Sequence, residues 1–470
     1  MFHDPDFTPF TPREKPSFLA VSRNYLENYP AEAYRTDFFS TDGLWPFFPR
    51  MHYVVSPELI EELLVTRADA FRRDDIASKA LRGPVDRDTL FFSEGAEWKW
   101  QRRAISPAFR YENILALVPY FVRCAQAQGE EWRRLGDGAE VEITEAMSRT
   151  TFAVIEKAVF GASENFDSDG FIAALRPVLG SFAWRMLAVM FRLPPDWTPY
   201  PGLLAARAGS RFVHDETAKL LAERRARPEA TRDIMGLLLS AKDPESGRVM
   251  TDAELVANLH GFLLAGHETS AVALAWTFWL LAKDQATQER AREEAERVAG
   301  AGEITPETVE QLAFTRQVLQ ESMRLFPPFA ALGRQPREDT TLGPHRVAAK
   351  EPVYVQTWCL HRHEKLWDDP TGFDPDRFAP EKVKARHRYA YLPFGAGPRI
   401  CVGMGFALTE MATIVATLLR EFRFETVPGH RLELAPTFAT RPKGALPLRI
   451  TRVSKGRAVG SAPAGSAVFG

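Results

Sequence analysis

The chain has 470 residues, of which 45% are hydrophobic and 26% are charged, and its formal net charge at pH 7 is −2. This length is ample for a large packed core, and the balanced charge argues against a nucleic-acid-binding protein, which would carry a basic excess. The three cysteines, Cys124, Cys359 and Cys401, are far apart and odd in number. They imply neither a disulfide framework nor a zinc cluster, which fits a reducing, cytoplasmic location.

The two ends of the chain differ in composition from the body between them. Residues 1–18 are rich in proline and interrupted by charges, with no apolar run long enough for a signal sequence or a membrane span. We therefore expect a soluble protein without a membrane anchor. Residues 454–470 are rich in Ala, Gly and Ser, which predicts a flexible tail. Residues 1–453 contain no repeat or long linker and are expected to form a single domain.

Hydrophobic periodicity indicates the fold class. The helical pattern dominates from about residue 97 to residue 326, and strand-like stretches lie mainly near the beginning and the end of the chain. The predicted strands are 50–55, 140–143, 352–357 and 446–450. We expect a mainly α protein with a smaller β-rich region, in the α+β class.

The first polar pattern in the helical part is EWKWQRRAISP, at residues 97–107. It places Trp98 and Arg102 four residues apart, on one face of a short helix. Taken alone, it is typical of an exposed basic helix with a half-buried tryptophan. The adjacent Lys99 and Arg103 are expected to be solvated.

Residues 166–227 read as two helices joined by the proline-rich segment 192–202, because proline bars regular structure there. Apolar side chains on the first of these helices would suit an apolar ligand, although core packing explains them equally well. They are Phe182, Trp184, Met186 and Met190.

The longest predicted helix covers residues 252–283 and opens with a capping box of Thr251 and Glu254. Its middle carries, inside an otherwise apolar stretch, Ala265, Gly266, His267, Glu268 and Thr269. Polar side chains are costly in a buried helix, so this cluster needs compensating contacts or a function. Thr269 can donate to the carbonyl of Ala265, which loosens the helix and opens a groove there.

A further helix is predicted over FTRQVLQESMRLFPP, where Pro327 and Pro328 stop it. Glu321 and Arg324 are three residues apart and share one face of this helix. On an exposed helix such a pair would contribute only about 0.5 kcal/mol or less, so by itself it is a weak signal.

The most informative stretch is PFGAGPRICVG, at residues 393–403. Its glycines and prolines forbid continuous helix or strand, so the backbone makes a preset loop that presents the sulfur of Cys401. Residues 404–420 then carry apolar side chains at helical spacing, which places Cys401 at or just before a helix N-terminus. That position, together with the nearby cation of Arg399, favours a thiolate.

This loop resembles the haem-binding loop of the cytochrome P450 family, F-x-x-G-x-R-x-C-x-G, at every fixed position. The matching residues are Phe394, Gly397, Arg399, Cys401 and Gly403. The resemblance covers essentially the whole chain and implies the cytochrome P450 fold, with a long central oxygen-binding helix and a Cys-bearing haem loop. It also implies that Cys401 is the thiolate ligand of haem iron, that Phe394 packs beside the sulfur and that Arg399 pairs with a haem propionate.

Other motifs of that family occur in the expected order. Trp98 and Arg102 match its W-x-x-x-R pattern, which implies contacts with a haem propionate, and Arg334 matches the position of another propionate-binding arginine. The segment FDPDRF supplies Arg377, which by the same resemblance completes a buried network with Glu321 and Arg324. That network is expected to be a scaffold for the haem loop.

AGHET, at residues 265–269, is similar to the family's oxygen-activation motif, A-G-x-(D/E)-T. The resemblance implies that Ala265 and Gly266 line the oxygen pocket. It further implies that Glu268 and Thr269 hold waters that deliver protons during oxygen activation. His267 lies at the variable position and is expected to be structural.

These motifs together imply a haem-thiolate monooxygenase. Its cofactor would be haem b, iron protoporphyrin IX, and it would insert one oxygen atom of O₂ into a hydrophobic substrate, with a fatty acid or similar lipid, a terpenoid or an alkyl aromatic as the best guess. A peroxygenase that uses a hydroperoxide is an alternative, but such relatives usually depart from the acid–threonine pair kept here. A non-catalytic haem sensor is a second alternative, which the polar pair in the long helix disfavours.

The sequence contains no glycine-rich flavin or nicotinamide fingerprint and no cysteine cluster for an iron–sulfur centre. NAD(P)H is therefore expected to act only indirectly, through a reductase. The expected electron donors are a ferredoxin and its ferredoxin reductase, which the family resemblance places on the face that carries Lys99 and Arg103.

Overall fold

The computed structural model describes residues 26, 29–41, 50–82, 89–161, 166–227, 233–436 and 439–453. Within them the protein is mostly helical with a smaller strand-rich part, which confirms the predicted α+β class. The predicted tail at 454–470 and the N-terminal residues 1–18 lie outside the described residues.

Fifteen α-helices are described, and we number them in chain order. They are α1 (Pro57–Glu61), α2 (Asp75–Leu81), α3 (Gly95–Ile105), α4 (Tyr111–Leu115), α5 (Val118–Leu135), α6 (Ile143–Phe160), α7 (Ser168–Met190), α8 (Leu203–Ala226), α9 (Ile234–Ser240), α10 (Asp252–Lys283), α11 (Gln285–Ala299), α12 (Ala313–Leu325), α13 (Thr357–Leu360), α14 (Pro380–Ala385) and α15 (Met404–Leu419).

The described strands are short. They are β1 (Phe38–Thr41), β2 (Met51–Val54), β3 (Phe71–Arg73), β4 (Ala139–Glu142), β5 (Leu332–Pro336), β6 (Thr340–Leu342), β7 (His345–Val347), β8 (Val353–Val355), β9 (Phe422–Thr426), β10 (Leu434–Pro436), β11 (Thr440–Pro442) and β12 (Pro447–Arg452). A five-stranded mixed sheet has the order β1-β2-β8-β5-β3, and an antiparallel sheet has the order β4-β12-β9. β6 pairs with β7, and β10 pairs with β11.

The four predicted strands correspond to β2, β4, β8 and β12. Two of the predicted strands extend too far at their C-terminal ends, because Ile143 and Thr357 begin helices instead. Ile143 follows Glu142, whose carboxylate accepts from the first backbone N–H groups of α6 and so starts the helix. Most other strands were missed because they are only three to five residues long, too short for a clear alternating pattern.

The buried hydrophobic residues form one core cluster that extends from Leu26 to Ile450. This continuity supports the proposal that residues 1–453 form a single domain.

The long helix α10 passes through this core, and its bounds are those predicted. Its capping box is complete: the Glu254 amide donates to Thr251 Oγ1 at 3.3 Å, and the Thr251 amide donates to Glu254 Oε2 at 2.8 Å. Residues 270–282 of the helix are buried without interruption, which explains its apolar sequence there.

Helices α7 and α8 are joined by the proline-rich segment, as predicted. Among the described helices, α7 is the one long and apolar enough to cross a membrane by length and composition, and 33% of its apolar window is buried. Length and composition alone do not distinguish a membrane span from a helix packed on a soluble protein. Here α7 packs against α2 and α8.

A fully buried ion pair lies on α12, and its arginine also binds the segment that follows α13. Arg324 donates from Nε and Nη2 to the two carboxylate oxygens of Glu321, at 2.6 and 2.7 Å, and both side chains are 0% exposed. The remaining N–H groups of Arg324 donate to the carbonyls of His361, Pro370 and Gly372. The predicted ion pair is therefore formed, and every N–H group of the buried guanidinium has an acceptor. This is the condition under which a buried charge is tolerated.

Arg377 completes this network, as predicted, with its Nε 3.4 Å from Glu321 Oε1. The network also reaches the loop before Cys401, because His361 Nε2 accepts from the backbone N–H of Leu392 at 2.9 Å. His361 is fully buried. The network is thus connected to the loop by hydrogen bonds, as a scaffold would be.

Substituting Glu321 with Ala should strongly destabilise the protein. The change leaves the Arg324 guanidinium buried without its counter-ion, which costs about 3–5 kcal/mol in the free energy of unfolding. Urea denaturation followed by tryptophan fluorescence measures this loss. As a control, Arg346→Gln removes an exposed pair with Asp339, in which the side chains are 81% and 60% exposed. It should change the free energy of unfolding by less than about 1 kcal/mol. Equal effects of the two substitutions would contradict the scaffold assignment.

Candidate active site

The Cys401 loop is shaped by glycines in the left-handed region. Gly395 and Gly397 have φ angles of +73° and +70°. At Gly397 a Cβ atom would also overlap the carbonyl oxygen of Leu64. This position therefore accepts only glycine, both because of its φ angle and because another segment passes against its backbone.

The loop holds Cys401 by its backbone. The Cys401 amide donates to the carbonyl of Phe394 at 3.0 Å, and α15 begins three residues later, at Met404. This confirms that the cysteine lies just before a helix N-terminus. Gly403 is the N-cap residue of that helix, and its backbone N–H interacts with the Cys401 thiol in a way that lowers the thiol pKa.

Cys401 is reachable and yet deep in the protein. It is exposed by accessible area, but burial raises the pKa of its thiol, against smaller lowering effects of the Gly403 N–H and of Arg102. The two observations agree if the sulfur faces an internal cavity. The thiolate expected from sequence is therefore not favoured by the protein alone, although metal coordination would deprotonate the thiol.

Arg399 does not act on the sulfur in the way the sequence suggested. Its Nη2 lies 3.1 Å from Glu94 Oε2 and 3.0 Å from the carbonyl of Ser93. Its guanidinium stacks on Trp98, 4.6 Å from the ring centroid. Arg102 is instead the cation that lowers the thiol pKa of Cys401.

A cluster of arginines lies beside this loop. The antiparallel register of β3 and β5 places Arg73 directly opposite Arg334. Burial lowers the pKa of Arg73 to about 9 and that of Arg334 to about 10, and in both cases repulsion from neighbouring arginines, Arg399 among them, adds to the effect. Like charges directly opposite in a sheet are destabilising, so this arrangement needs an anion.

Protein carboxylates satisfy the cluster only in part. Glu94 and Asp74 raise the pKa of both Arg73 and Arg334. However, Arg73 Nε and Arg399 Nη1 are inaccessible and have no hydrogen-bond partner among the described residues. Unpaired N–H groups on neighbouring guanidinium groups fit an anionic ligand such as a pair of carboxylates.

Trp98 and Arg102 lie on α3, on the same side of the site. The stacking of Trp98 against Arg399 brings the two predicted haem-contacting segments together. Burial lowers the pKa of Arg102, and the nearby Cys401 opposes that effect. Arg103, by contrast, was expected to be solvated but donates to both carboxylate oxygens of Asp243, at 2.7 and 3.0 Å. Lys99 is exposed.

The middle of α10 borders accessible space and is connected to the Cys401 loop through Phe109. Thr269 Oγ1 donates to the carbonyl of Ala265 at 2.6 Å, which confirms the predicted bond. Ala265 is exposed although it lies within a buried helix, so this face of α10 borders accessible space. Phe109 lies between α10 and the Cys401 loop. Its ring centroid lies 5.4 Å from that of Phe262 on α10, and a Cβ atom on Gly403 would lie 3.8 Å from its Cε1 atom.

Gly266 and His267 face α6. A Cβ on Gly266 would lie 2.8 Å from Ile155 Cδ1, so the glycine permits close packing of the two helices. His267 Nε2 lies 2.8 Å from Ser148 Oγ, and its ring packs edge-on against Phe152, as expected of a structural residue. A role for Gly266 in lining the oxygen pocket stays a prediction.

Glu268 is nearly inaccessible and forms an ion pair with Arg441 of β11, at 3.3 Å from Nη1 to Oε1. Burial raises the pKa of Glu268, and Arg441 opposes this effect. The structure therefore places a buried, ion-paired carboxyl group one residue before Thr269 on α10.

The donor set fits haem. Among the described residues no group of three or more His, Cys, Asp or Glu side chains could hold a metal ion, so a metal at Cys401 needs a cofactor that brings its own ligands. A porphyrin would do so, and its propionates would supply anions that the arginine cluster could bind.

Sequence reasoning missed Arg73 and the role of His361. Arg73 is one of two adjacent arginines in RRDD, and only the pairing of β3 with β5 shows which of them faces Arg334. His361 was left outside the predicted site, and the structure places it in the scaffold. Gly397 stood in the motif, but the close approach of Leu64 could not be read from it.

Comparison with known proteins agrees with this geometry. The chain is 29% identical over 424 residues to an ultra-long-chain fatty acid omega-hydroxylase of Homo sapiens, an alignment that covers 84% of this chain and 78% of the relative. It is 30% identical to leukotriene-B4 omega-hydroxylase 3 of Mus musculus, covering 85% and 80%. It is also 30% identical to secologanin synthase 2 of Catharanthus roseus, covering 86% and 78%.

The model of the family described as "Cytochrome P450" matches residues 31–448. That span includes every motif described above, and the sequence, the fold and the match all agree. This chain therefore belongs to the cytochrome P450 family of haem-dependent monooxygenases.

Proposed function

We propose that this protein is a haem-thiolate monooxygenase that inserts one oxygen atom of O₂ into a fatty acid or a similar lipid. The observation that carries the proposal is a reachable cysteine sulfur deep in the protein, beside arginines with unpaired N–H groups. A metal-ligating thiol next to a cluster of arginines suits haem b, which carries iron and two carboxylates. When bound, haem with a thiolate ligand supplies the activation of O₂.

The proposed contacts with haem divide into two groups. Cys401 is the iron ligand, and Phe394 and Gly403 frame it through the backbone contacts of the loop. The propionates are held by arginines and one indole, whose mutual contacts and electrostatic coupling support this assignment. These residues are Trp98, Arg102, Arg334, Arg399 and Arg73.

The proposed proton delivery uses α10. Thr269 binds back to Ala265, which leaves its hydroxyl oxygen as an acceptor for a water in the cavity. Glu268 is one residue away and supplies the exchangeable proton. Ala265 provides space beside Thr269 because its side chain is small and borders accessible space, whereas Gly266 packs against Ile155 of α6.

The substrate assignment rests on two supports. Phe182, Met186 and Met190 repeat at intervals of four on α7, which places them on one half-buried face suited to an apolar chain. Two of the relatives are named omega-hydroxylases, one of them of fatty acids. A terpenoid or an alkyl aromatic would suit the same surface.

Electrons are proposed to come from a ferredoxin and its reductase, with NAD(P)H acting only through that reductase. The support is the lack of a flavin or nicotinamide fingerprint within these 470 residues. Lys99 is the better probe of a docking face, because Arg103 is engaged with Asp243. A cytoplasmic location is proposed on the three free cysteines, which are typical of a reducing compartment.

Replacing Cys401 should abolish thiolate ligation. The ferrous–carbon monoxide spectrum of the wild type is expected to show the strongly red-shifted Soret band of haem-thiolate proteins, and Cys401→Ala should lose that band. Cys124→Ala, which changes a half-buried cysteine outside the loop, should retain it. An ordinary haem–CO band in the wild type would overturn the proposed function.

Thr269→Ala should keep the haem spectrum but divert electrons to peroxide. Loss of a positioned proton donor lowers product formation by about 10²-fold. The measurement is hydrogen peroxide and product per NAD(P)H with dodecanoic acid. Thr277→Ala is the matched control, because Thr277 makes the same bond to the Ala273 carbonyl, at 2.7 Å, in a buried part of α10. Unchanged coupling in Thr269→Ala would contradict the proton-delivery role.

Arg73→Gln should weaken haem retention. Losing a charge-assisted bond to a propionate costs about 1.5–3 kcal/mol, or roughly a 10- to 100-fold faster transfer of haem to apomyoglobin. The same change should not destabilise the haem-free protein, because it removes the repulsion that Arg334 exerts on the buried Arg73 charge. Arg72→Gln is the control, since Arg72 pairs with Asp75 and lies opposite Gln335. Equal haem transfer rates in both variants would remove Arg73 from the site.

A further inference from the structure

A tight turn at residues 243–248, between α9 and α10, carries an acid at one end and an arginine at the other. The Asp243 amide donates to the Arg248 carbonyl at 2.8 Å, and the Gly247 amide donates to the Asp243 carbonyl at 2.8 Å. Gly247 has a φ angle of +70°, in the region that favours glycine. Ser246 Oγ also donates to Asp243 Oδ2, at 2.6 Å. The turn therefore holds Asp243 and Arg248 next to each other.

Both ends of this turn form ion pairs with α3, in opposite directions. Arg103 of α3 donates to both carboxylate oxygens of Asp243, at 2.7 and 3.0 Å, and Asp243 is buried. Arg248 donates from Nη1 to Glu97 Oε2 of α3 at 3.0 Å. Its guanidinium also lies 3.9 Å from the centroid of the Trp100 ring. The turn thus binds α3 near both ends of that helix.

Arg248 also binds the start of α10. Its Nη2 donates to Glu254 Oε1, in the carboxylate that completes the capping box of α10. The Glu254 side chain is 11% exposed and that of Glu97 is 46% exposed. Arg248 therefore bridges a nearly buried carboxylate on the long helix and a half-exposed carboxylate on α3.

The side chains that the turn binds lie on the face of α3 opposite to the proposed haem contacts. Successive residues on a helix point about 100° apart. Glu97, Trp100 and Arg103 therefore share one face of α3, and Trp98 and Arg102 share the opposite face. The second pair is directed to the Cys401 loop, through the stacking of Trp98 on Arg399 and the effect of Arg102 on the thiol.

We propose that Arg248 is a positioning residue for haem binding, which together with Asp243 clamps α3 from the face opposite the site. The clamp, meaning the side chains of Asp243 and Arg248, holds Trp98 and Arg102 where they can contact the propionates. This inference rests on the proposed function, in which those two residues bind haem. Because the contact of Arg248 with Glu97 is half exposed, salt weakens it and the position of α3 depends on ionic strength.

Both carboxylates that bind the clamp to α3 favour their charged forms. Burial raises the pKa of Glu97, but hydrogen bonds, among them that from Arg248, bring it below its ordinary value. The hydrogen bond from Arg103 holds the pKa of Asp243 well below its usual range. Near pH 7 both contacts are therefore charge-assisted, which makes them stronger than hydrogen bonds between neutral groups.

The test is the rate at which haem leaves the haem-loaded protein for apomyoglobin. Arg248→Met is expected to speed this transfer roughly twofold to fivefold, as for the loss of a partly exposed ion pair. Arg248→Lys should give an intermediate rate, because an ammonium group lacks the planar fork that bridges two carboxylates. Arg290→Met is the matched control. Arg290 likewise combines an ion pair, with Asp376 at 2.8 Å, and a ring contact, 3.7 Å from the Phe314 centroid.

Two further readouts separate positioning from a general loss of structure. If Arg248 acts through Arg102, then Arg248→Met should add little to the transfer rate of Arg102→Gln, because coupled substitutions are not additive. Wild-type transfer should also accelerate between low salt and about 1 M NaCl, which screens exposed charges. Arg248→Met should lose most of that acceleration, whereas Arg290→Met should keep it.

The proposal is overturned if Arg248→Met and Arg290→Met transfer haem at the same rate, or if the effects of Arg248→Met and Arg102→Gln are fully additive. Should Arg248→Met fail to fold, Asp243→Asn removes the other charge of the clamp at nearly constant shape and provides the same comparison. Haem transfer needs neither turnover nor thiolate ligation. A wild type without the red-shifted CO band would therefore defeat the proposed function, whereas equal transfer rates would defeat only the clamp.

Discussion

The structure depends on a charge that is buried completely and still satisfied. Arg324 donates hydrogen bonds to Glu321 and to three carbonyls of the segment after α13. That irregular segment therefore has a fixed position, although it is neither helix nor strand. His361, held in this way, accepts from Leu392 and so fixes the start of the Cys401 loop. A loop of glycines and prolines could not be held so firmly by its own backbone bonds alone.

Around that loop the positive charge is only partly compensated by carboxylates, in contrast to the fully satisfied Arg324. Arg73 and Arg334 face each other across two strands. Their pKa values fall because burial disfavours the charged forms, and repulsion adds to this effect, from Arg334 and Arg399 on Arg73 and from Arg399 on Arg334. Glu94 and Asp74 offset part of this cost, and an anionic ligand would offset more of it. The same comparison separates a scaffold from a binding site: satisfied buried ions stabilise a fold, whereas unsatisfied ones mark where a ligand binds.

Helix α10 directs three adjacent polar side chains to three different neighbours. Successive residues on a helix point about 100° apart, so Glu268, Thr269 and Ser270 reach different neighbours: Arg441 on the hairpin, the carbonyl of Ala265 beside the cavity, and Glu410 on α15. Each of these polar side chains, whose burial in an apolar helix costs free energy, has a hydrogen-bond or ion-pair partner. Within one turn, α10 therefore contacts a partly exposed arginine, accessible space beside Ala265 and the buried core.

The sequence by itself determined the α+β class, the bounds of α10 with its capping box, the Glu321–Arg324 pair and the loop that presents Cys401. These features depend on local periodicity, capping chemistry and short fixed spacings, all of which act within a few residues. Only the tertiary structure decided that Arg399 turns to Glu94 and Trp98, that Arg103 pairs with Asp243, that Arg73 faces Arg334, and that Arg441 pairs with Glu268. Those partners are far apart in the chain, and no local pattern encodes which strand or hairpin will bring them together.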